Sequence, residues 1–387
     1  MKTPFPLVFA LWGAGLGAAA QYGKVSVVFD ALPDIYPGAG AALGFVVSLV
    51  GLVGIIFGVV AGLVVARVRY RRALIGALWV GAVMSAFQAL LPGLPLLLAS
   101  PVIEGASHLA IVVAAPTLIA QLSAPKDRGL TLSLWGTFFG VAFAILSLFG
   151  RPLVAGWGIS ALFAAHSAYM AVFALILSGW LRQLPPEGPQ PKLNLGQILR
   201  DHRTIYRSAY ISAPAAGWLF YTFCFVSILT VLPPFLVPEL RNLILAAMPI
   251  ISIAVSMTMG VWLLRHVPAV QVVELGFAGS AVCLMWLWAV PGAPLACLAL
   301  AAALGLVQGA SFAAVPQLND GAAAQAQANG AMAQMGNLGN TLGTPVIAAI
   351  LLGFGYAGMP VVAAIACLAG LCAHLFLGRL RKRARRS

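Results

Sequence analysis

A carboxylate and an imidazole stand one helical turn apart, as Glu104 and His108, inside the apolar stretch Leu98–Leu122, LASPVIEGASHLAIVVAAPTLIAQL. Residues four apart share a helix face. The stretch is long enough to cross a bilayer, since about 20 residues at ~1.5 Å rise span a ~30 Å hydrocarbon core. A carboxylate at the bilayer centre costs about 2.5–3.5 kcal/mol, so such groups face a bundle interior or a wet cavity. An unperturbed imidazole changes charge near neutral pH. The two residues therefore admit two readings: a packing pair that fixes one helix against another, or groups on a transport path. The elements around them decide which.

The composition excludes a water-soluble globule: 61% of the 387 residues are hydrophobic and 8% charged, against roughly 25% charged in soluble domains. The formal charge of +13, from 22 Lys and Arg against 9 Asp and Glu, sits in short clusters between apolar runs. That pattern marks membrane topology rather than a nucleic-acid partner. The five cysteines (Cys224, Cys283, Cys297, Cys367, Cys372) fall in apolar runs without ligand spacing. Free thiols, no metal site and no cofactor are expected. The first apolar run continues to Phe29, too long for a cleaved signal, and reads as a retained span.

Hydropathy marks twelve spans. The first six are Phe5–Phe29, Gly40–Val64, Ala73–Leu91, Leu96–Leu122, Leu130–Gly150 and Ile159–Leu181. The second six are Ser208–Val237, Leu243–Leu264, Ala269–Val290, Pro294–Pro316, Gly330–Leu352 and Gly358–Leu377. One long loop separates the sets, polar and Pro-rich at first, with an amphipathic helix on the membrane surface expected over Leu195–Ile205. The chain is thus expected to be an all-α membrane protein of two six-helix bundles, residues 1–181 and 208–378, joined by a cytoplasmic loop 182–207 and ending in a basic tail 379–387. Arg67, Arg69, Arg71, Arg72, Lys126, Arg128, the central loop and the tail fall on one side, and only Arg151 and Arg241 on the other. The positive-inside rule puts that basic side, with both termini, in the cytoplasm, and the chain as a multi-pass protein in the inner membrane.

A weak internal repeat aligns Ala115-Pro116-Thr117-Leu118 of span four with Val315-Pro316-Gln317-Leu318 of span ten, His108 falling opposite Gln308. Two like halves with a site between them near the midplane are a recurrent transporter plan. At this point the chain resembles the major facilitator superfamily. The loop between spans two and three carries the most specific local match: the family's Gly-x-x-x-Asp-Arg-x-Gly-Arg-Arg appears with Gly62, Arg67 and Arg71 in place. Ala66 stands at the acidic position and Arg69 at the second glycine. The resemblance implies gating by Gly62, Arg67 and Arg71, with the acidic latch lost. The Gly-Pro signature of drug antiporters is missing from span five, which reads Leu134-Trp-Gly-Thr-Phe-Phe-Gly140.

The resemblance also implies a cavity lined by spans one, four, seven and ten. Span one offers Gln21, Tyr22 and Lys24, and Lys24 lies at nearly the depth of Glu104. The two are expected to pair, against the alternative that Lys24 snorkels to the headgroups. His108 shares a proton with Glu104, donates to a substrate, or packs. His166 in span six is read as structural, and Glu274 as a gate or surface carboxylate. The second half supplies neutral groups: Trp218, Tyr221 and Thr222, then Gln308 and Ser311. Span eleven sets Gln334, Asn337, Thr341 and Thr344 on one stripe, with Asn340 beside it. These side chains either recognise a ligand or bond to other helices.

The expected function is secondary active transport of a small organic solute, anionic or zwitterionic, with Glu104 and His108 coupling protons and no enzymatic activity. The alternative is a proton-antiport exporter of drugs or metabolites. Expected partners are the solute, protons and membrane lipids, with no nucleic acid and a monomeric chain.

Overall fold

The computed structural model describes residues 2–58, 60–124, 127–182, 195–320 and 322–384. Among the described residues every regular element is helical, and twelve helical segments are long and apolar enough to cross a membrane. With no water in the bilayer core, a chain must satisfy its backbone internally, which helices do. The spans are Phe5–Ile35, Gly40–Phe57, Tyr70–Ala89, Leu94–Leu122, Phe138–Trp157 and Ile159–Arg182, then Ser212–Val231, Pro238–Leu264, Ala269–Ala289, Pro294–Leu318, Gln327–Phe354 and Gly358–Ala384. An even number of crossings returns both ends of the chain to one face, here termed the terminal end; the opposite face is the far end.

Span one packs on spans three, four, five and six, and span three on spans four and six. Spans seven, nine, ten, eleven and twelve form the second group, with span eight on span ten. The two groups meet where span two packs on span eleven, span five on span eight, and the far half of span one on span seven.

Two spans differ from the uniform helices that hydropathy suggests. Span two is broken into Leu43–Ser48, a 3₁₀ turn Leu49–Gly51, and Leu52–Phe57, with a separate helix Ala61–Val68 beyond it. Its glycines and valines are poor helix formers, and the carbonyls of Ser48 and Ile55 accept from Thr341 Oγ1 (3.0 Å) and Gln334 Nε2 (2.6 Å) of span eleven. Span five was expected at Leu130–Gly150, but its membrane-length part is Phe138–Trp157, preceded by a separate helix Arg128–Gly136. A π turn at Leu146–Gly150 precedes Pro152, which has no N–H for an i−4 bond.

At the far end, Arg151 holds Asp30 through two bonds (3.1 and 2.9 Å) and the Val27 carbonyl (2.7 Å). Tyr36 donates to Pro92 O at 2.9 Å, and burial pushes its phenol up, so the neutral hydroxyl makes this bond. Of the central loop, Leu195–Arg207 is the amphipathic helix that the sequence suggests, two residues longer; residues 183–194 lie outside the described residues. Its Ile205 is buried against Ala215, Val315, Ala328 and Met332 of spans seven, ten and eleven. Burial of such a side chain contributes about 1.5–3 kcal/mol. Ile205→Asp is expected to undock the helix, read as faster tryptic cleavage at Arg203 and Arg207 with the spans intact; unchanged cleavage would show that Ile205 does not hold it.

Candidate functional site

Span one is the element on which the site is built. Successive residues two apart point to opposite sides of a helix, whereas those three or four apart share a side. Gln21 and Lys24 accordingly turn inward to spans three, four and six. Tyr22 and Ser26 turn outward to the second bundle.

On the inward side, Lys24 Nζ meets Glu104 Oε1 at 2.5 Å, with both side chains sealed at 0% and 1% exposure. An ammonium carries three protons. The remaining two face Ser85 Oγ (2.5 Å) and His166 Nδ1 (3.3 Å), and the Phe163 ring lies 5.6 Å away. Gln88 Nε2 donates to Glu104 Oε2 (3.1 Å) and to Ser100 Oγ (3.0 Å). His166 Nε2 lies 2.9 Å from the Gly17 carbonyl, which can only accept, so Nε2 carries the proton and Nδ1 accepts, 2.6 Å from Ser85 Oγ. A buried ion pair offsets its desolvation only when geometry is good and its other hydrogen-bonding positions are filled; here they are.

The expected pairing of Lys24 with Glu104 is therefore present, but its surroundings are not those expected. The pair does not border an opening between the bundles. It lies inside the first bundle, and in this conformation a solute between the bundles reaches neither side chain. His108 is not Glu104's partner either: Nδ1 donates to Ala18 O (2.9 Å) and the ring packs edge-on against Tyr22, centroids 5.1 Å apart. Gln21 also turns away from the second bundle, donating to Ser107 Oγ at 2.9 Å.

His166, read from sequence as structural, sits in the network, and Ser85 and Gln88 were not singled out at all. Their signal is the spacing of three on the otherwise apolar span three, together with the rule that a buried ion pair recruits polar neighbours at its own depth.

The outward side of span one meets amides and aromatic rings. Tyr22 donates to Asn337 Oδ1 (3.3 Å), and Ser26 Oγ contacts Thr230 Oγ1. Asn340 Oδ1, beside Tyr22, is buried without a hydrogen-bond partner, as is Ser311 Oγ. Trp218 stacks on Tyr221 (4.7 Å) and Tyr221 on Phe225 (5.5 Å), while Phe312 closes edge-on against Trp218 (4.8 Å). Phe139 and Phe143 of span five continue this column from the first bundle, 6.4 and 6.3 Å from Phe225. Gln308 accepts from Ser252 at 3.3 Å, inside the second bundle. Tyr22, His108 and Asn340 thus form one cluster and Trp218, Tyr221 and Phe225 a second, linked through Phe139, whereas Lys24, Glu104 and Gln21 lie on the other side of span one.

The span-eleven stripe has a different place. Gln334 and Thr341 bond to span-two carbonyls, and Asn337 packs on Gly54 while donating to Ala333 O at 2.8 Å. Most of the stripe is a seam between bundles. Of the gating residues, Arg67 is exposed and Arg71 Nη1 donates to Leu181 O (3.3 Å) at the end of span six. Gly62 lies in the helix Ala61–Val68, its side-chain environment outside the described residues.

The far half of the molecule is closed by Ser26 with Thr230 and by the cluster that joins Val28, Phe143, Phe225 and Leu229. Toward the terminal end, the helix Arg128–Gly136 packs chiefly on spans one and four of its own bundle. A twelve-span molecule of two bundles, sealed together on one side of a polar and aromatic centre, is the architecture of an alternating-access transporter.

The sequence profile described as Major Facilitator Superfamily matches residues 11–344, and the chain belongs to that family. It is a multi-pass membrane transporter of the secondary type, not an enzyme. Among curated proteins, none matches it. Among solved structures it is similar to a bacterial homolog of the human lysosomal transporter Spinster in an inward-facing and occupied conformation, at 14% identity and a TM-score of 0.77 over 98% of this chain and 97% of that one. The inward-facing, unoccupied form of that homolog gives 15% identity and 0.73, covering 97% and 95%. A D-xylose-proton symporter gives 18% identity and 0.77, covering 97% of each chain. At these identities the likeness carries the fold alone.

Proposed function

We propose that this chain couples protons to the movement of a small, partly polar organic solute, anionic or zwitterionic, across the inner membrane. The terminal end is then cytoplasmic, and the monomer works by rocking residues 1–181 against 208–378, with loop 182–207 as tether and tail 379–387 at the lipid surface. The solute sits among Tyr22, His108, Trp218, Tyr221 and Asn340, and Lys24, Glu104 and His166 answer to the proton.

One observation carries this reading: span one joins the two sets of groups back to back. Lys24 is held by Glu104 on one side of the helix, while Tyr22 and Ser26 on the other side close the contact with the second bundle. Protonating Glu104 removes half of the ion pair and leaves Lys24 with a neutral acceptor. Span one is then free to shift, and any shift strains the Tyr22–Asn337 and Ser26–Thr230 contacts. Ser85 Oγ and His166 Nδ1 still accept from Lys24, but its charge then stands unmatched inside the first bundle, a cost that favours movement of span one.

Reconstitution into liposomes tests the proposal. An imposed inward proton gradient is expected to raise accumulation of the solute, and Glu104→Gln is expected to abolish that stimulation while leaving solute exchange in the absence of a gradient. Equal stimulation in Glu104→Gln would remove the coupling role. The aromatic column from Trp218 to Phe143 favours one second reading, export of flatter and more apolar solutes by proton antiport. In that case everted vesicles would release protons when such a solute is added.

A further inference from the structure

Above the far-end seal lies a cavity of about 400 Å³, floored by Val27 and Val28 and walled by the far ends of spans one, five and eight. Volumes of about 300–1,000 Å³ are typical of small-molecule sites. Four charged side chains line it: Asp30, Asp34, Arg151 and Arg241. Asp30 and Arg151 satisfy each other. The other two do not: among the described residues neither Asp34 nor Arg241 enters an ion pair; the Asp34 carboxylate is exposed at the mouth, while Arg241 Nε is buried without a hydrogen-bond partner.

An acid and a base left open in one cavity, with the remaining charges already balanced, set the chemistry of what fits. A simple anion would match Arg241 but enter a cavity that also holds the Asp34 carboxylate, a like charge that repels it. A simple cation would do the reverse. A molecule carrying both charges a few bonds apart matches both, and a guanidinium is the side chain best shaped to take a carboxylate through two parallel bonds. The residues come from both bundles, Asp34 from the first and Arg241 from the second, so the cavity changes shape whenever the bundles rock.

We infer that this cavity is an acceptance site for a small zwitterion of the α-amino-acid type, its carboxylate on Arg241 and its ammonium on Asp34. The inference narrows the proposed solute from an anion or zwitterion to a zwitterion, and it rests on that reading. The site stands directly outside the Ser26–Thr230 closure. A molecule held there is next in line when the far end opens.

Direct binding tests this without any need for transport. Purified full-length protein in detergent is titrated by calorimetry with L-alanine, L-leucine and L-phenylalanine, and with propionate and ethylamine as half-ligands. At least one amino acid is expected to bind, with both half-ligands weaker. Arg241→Gln and Asp34→Asn are each expected to weaken amino-acid binding about tenfold, the loss of one charge-assisted contact, with thermal melting unchanged. Binding of none of the amino acids, equal binding by Arg241→Gln and the parent, or half-ligands that bind as tightly as the zwitterion would each overturn the site. Failure of the transport reading is distinct: liposomes would then accumulate no solute while Arg241-dependent binding persists.

Discussion

Lys24→Met alone should destabilise the protein by about 3–5 kcal/mol, because it leaves Glu104 as a buried carboxylate without its counter-charge. Ser85 and Gln88 would still bond to Glu104, but hydrogen bonds from neutral groups do not replace an ammonium at 2.5 Å. Glu104→Gln alone should also destabilise, since it strands the lysine. The double substitution Lys24→Met with Glu104→Gln removes both charges at once and should recover at least half of the loss. Thermal melting in detergent micelles across the four proteins gives the coupling directly. Additive losses would mean that the two side chains do not act as a pair. The double variant should also lose gradient-driven accumulation despite its recovered stability. That outcome separates a coupling role from a purely structural one, because a packing pair restored to neutrality would restore transport with it.

Gly51→Ala should cut transport at least tenfold and lower the melting temperature, the cost of overpacking a tight contact being about 1–3 kcal/mol. A Cβ at this position would stand 2.2 Å from Thr341 Oγ1, 2.7 Å from the Asn337 carbonyl and 2.9 Å from the Tyr22 hydroxyl. The hydroxyls can turn away; the backbone carbonyl of span eleven cannot. The added methyl group therefore pries the bundles apart where Thr341 reaches Ser48 O and Tyr22 reaches Asn337. Gly76 in span three supplies the control, since a Cβ there meets nothing within 4 Å. Gly76→Ala should leave transport unchanged and stability equal or slightly higher, through helix propensity. Equal effects at the two positions would mean that the seam tolerates separation, and that spans two and eleven do not bear on the rocking motion.

The amide and hydroxyl stripe of span eleven shows where sequence reading and structure part. Its helical spacing was legible, and so were its two candidate uses. The structure divides it: Gln334 and Thr341 serve the seam, while Asn340 keeps a buried oxygen free beside Tyr22. The carbonyls that the stripe engages, of Ser48 and Ile55, lie at the breaks in span two, at Leu49–Gly51 and near Phe57. Hydropathy does not register such a break, since glycine and valine keep the window apolar.

By itself the sequence determined twelve spans, a split into six and six, and an acid and a base at matching depth. Those properties are local: in lipid each crossing must satisfy its own backbone, so length and apolarity of the run are sufficient to identify it. Only the tertiary structure decided which way the charged side chains turn. Packed helices and lipid tails are equally apolar, so no periodicity distinguishes a helix face that meets a neighbour from one that meets acyl chains or the centre of the molecule. Lys24 and Tyr22 are two residues apart in the same greasy helix, and the packing of spans three and six, with His166, Ser85 and Gln88, sends one inward to an ion pair and leaves the other to the second bundle.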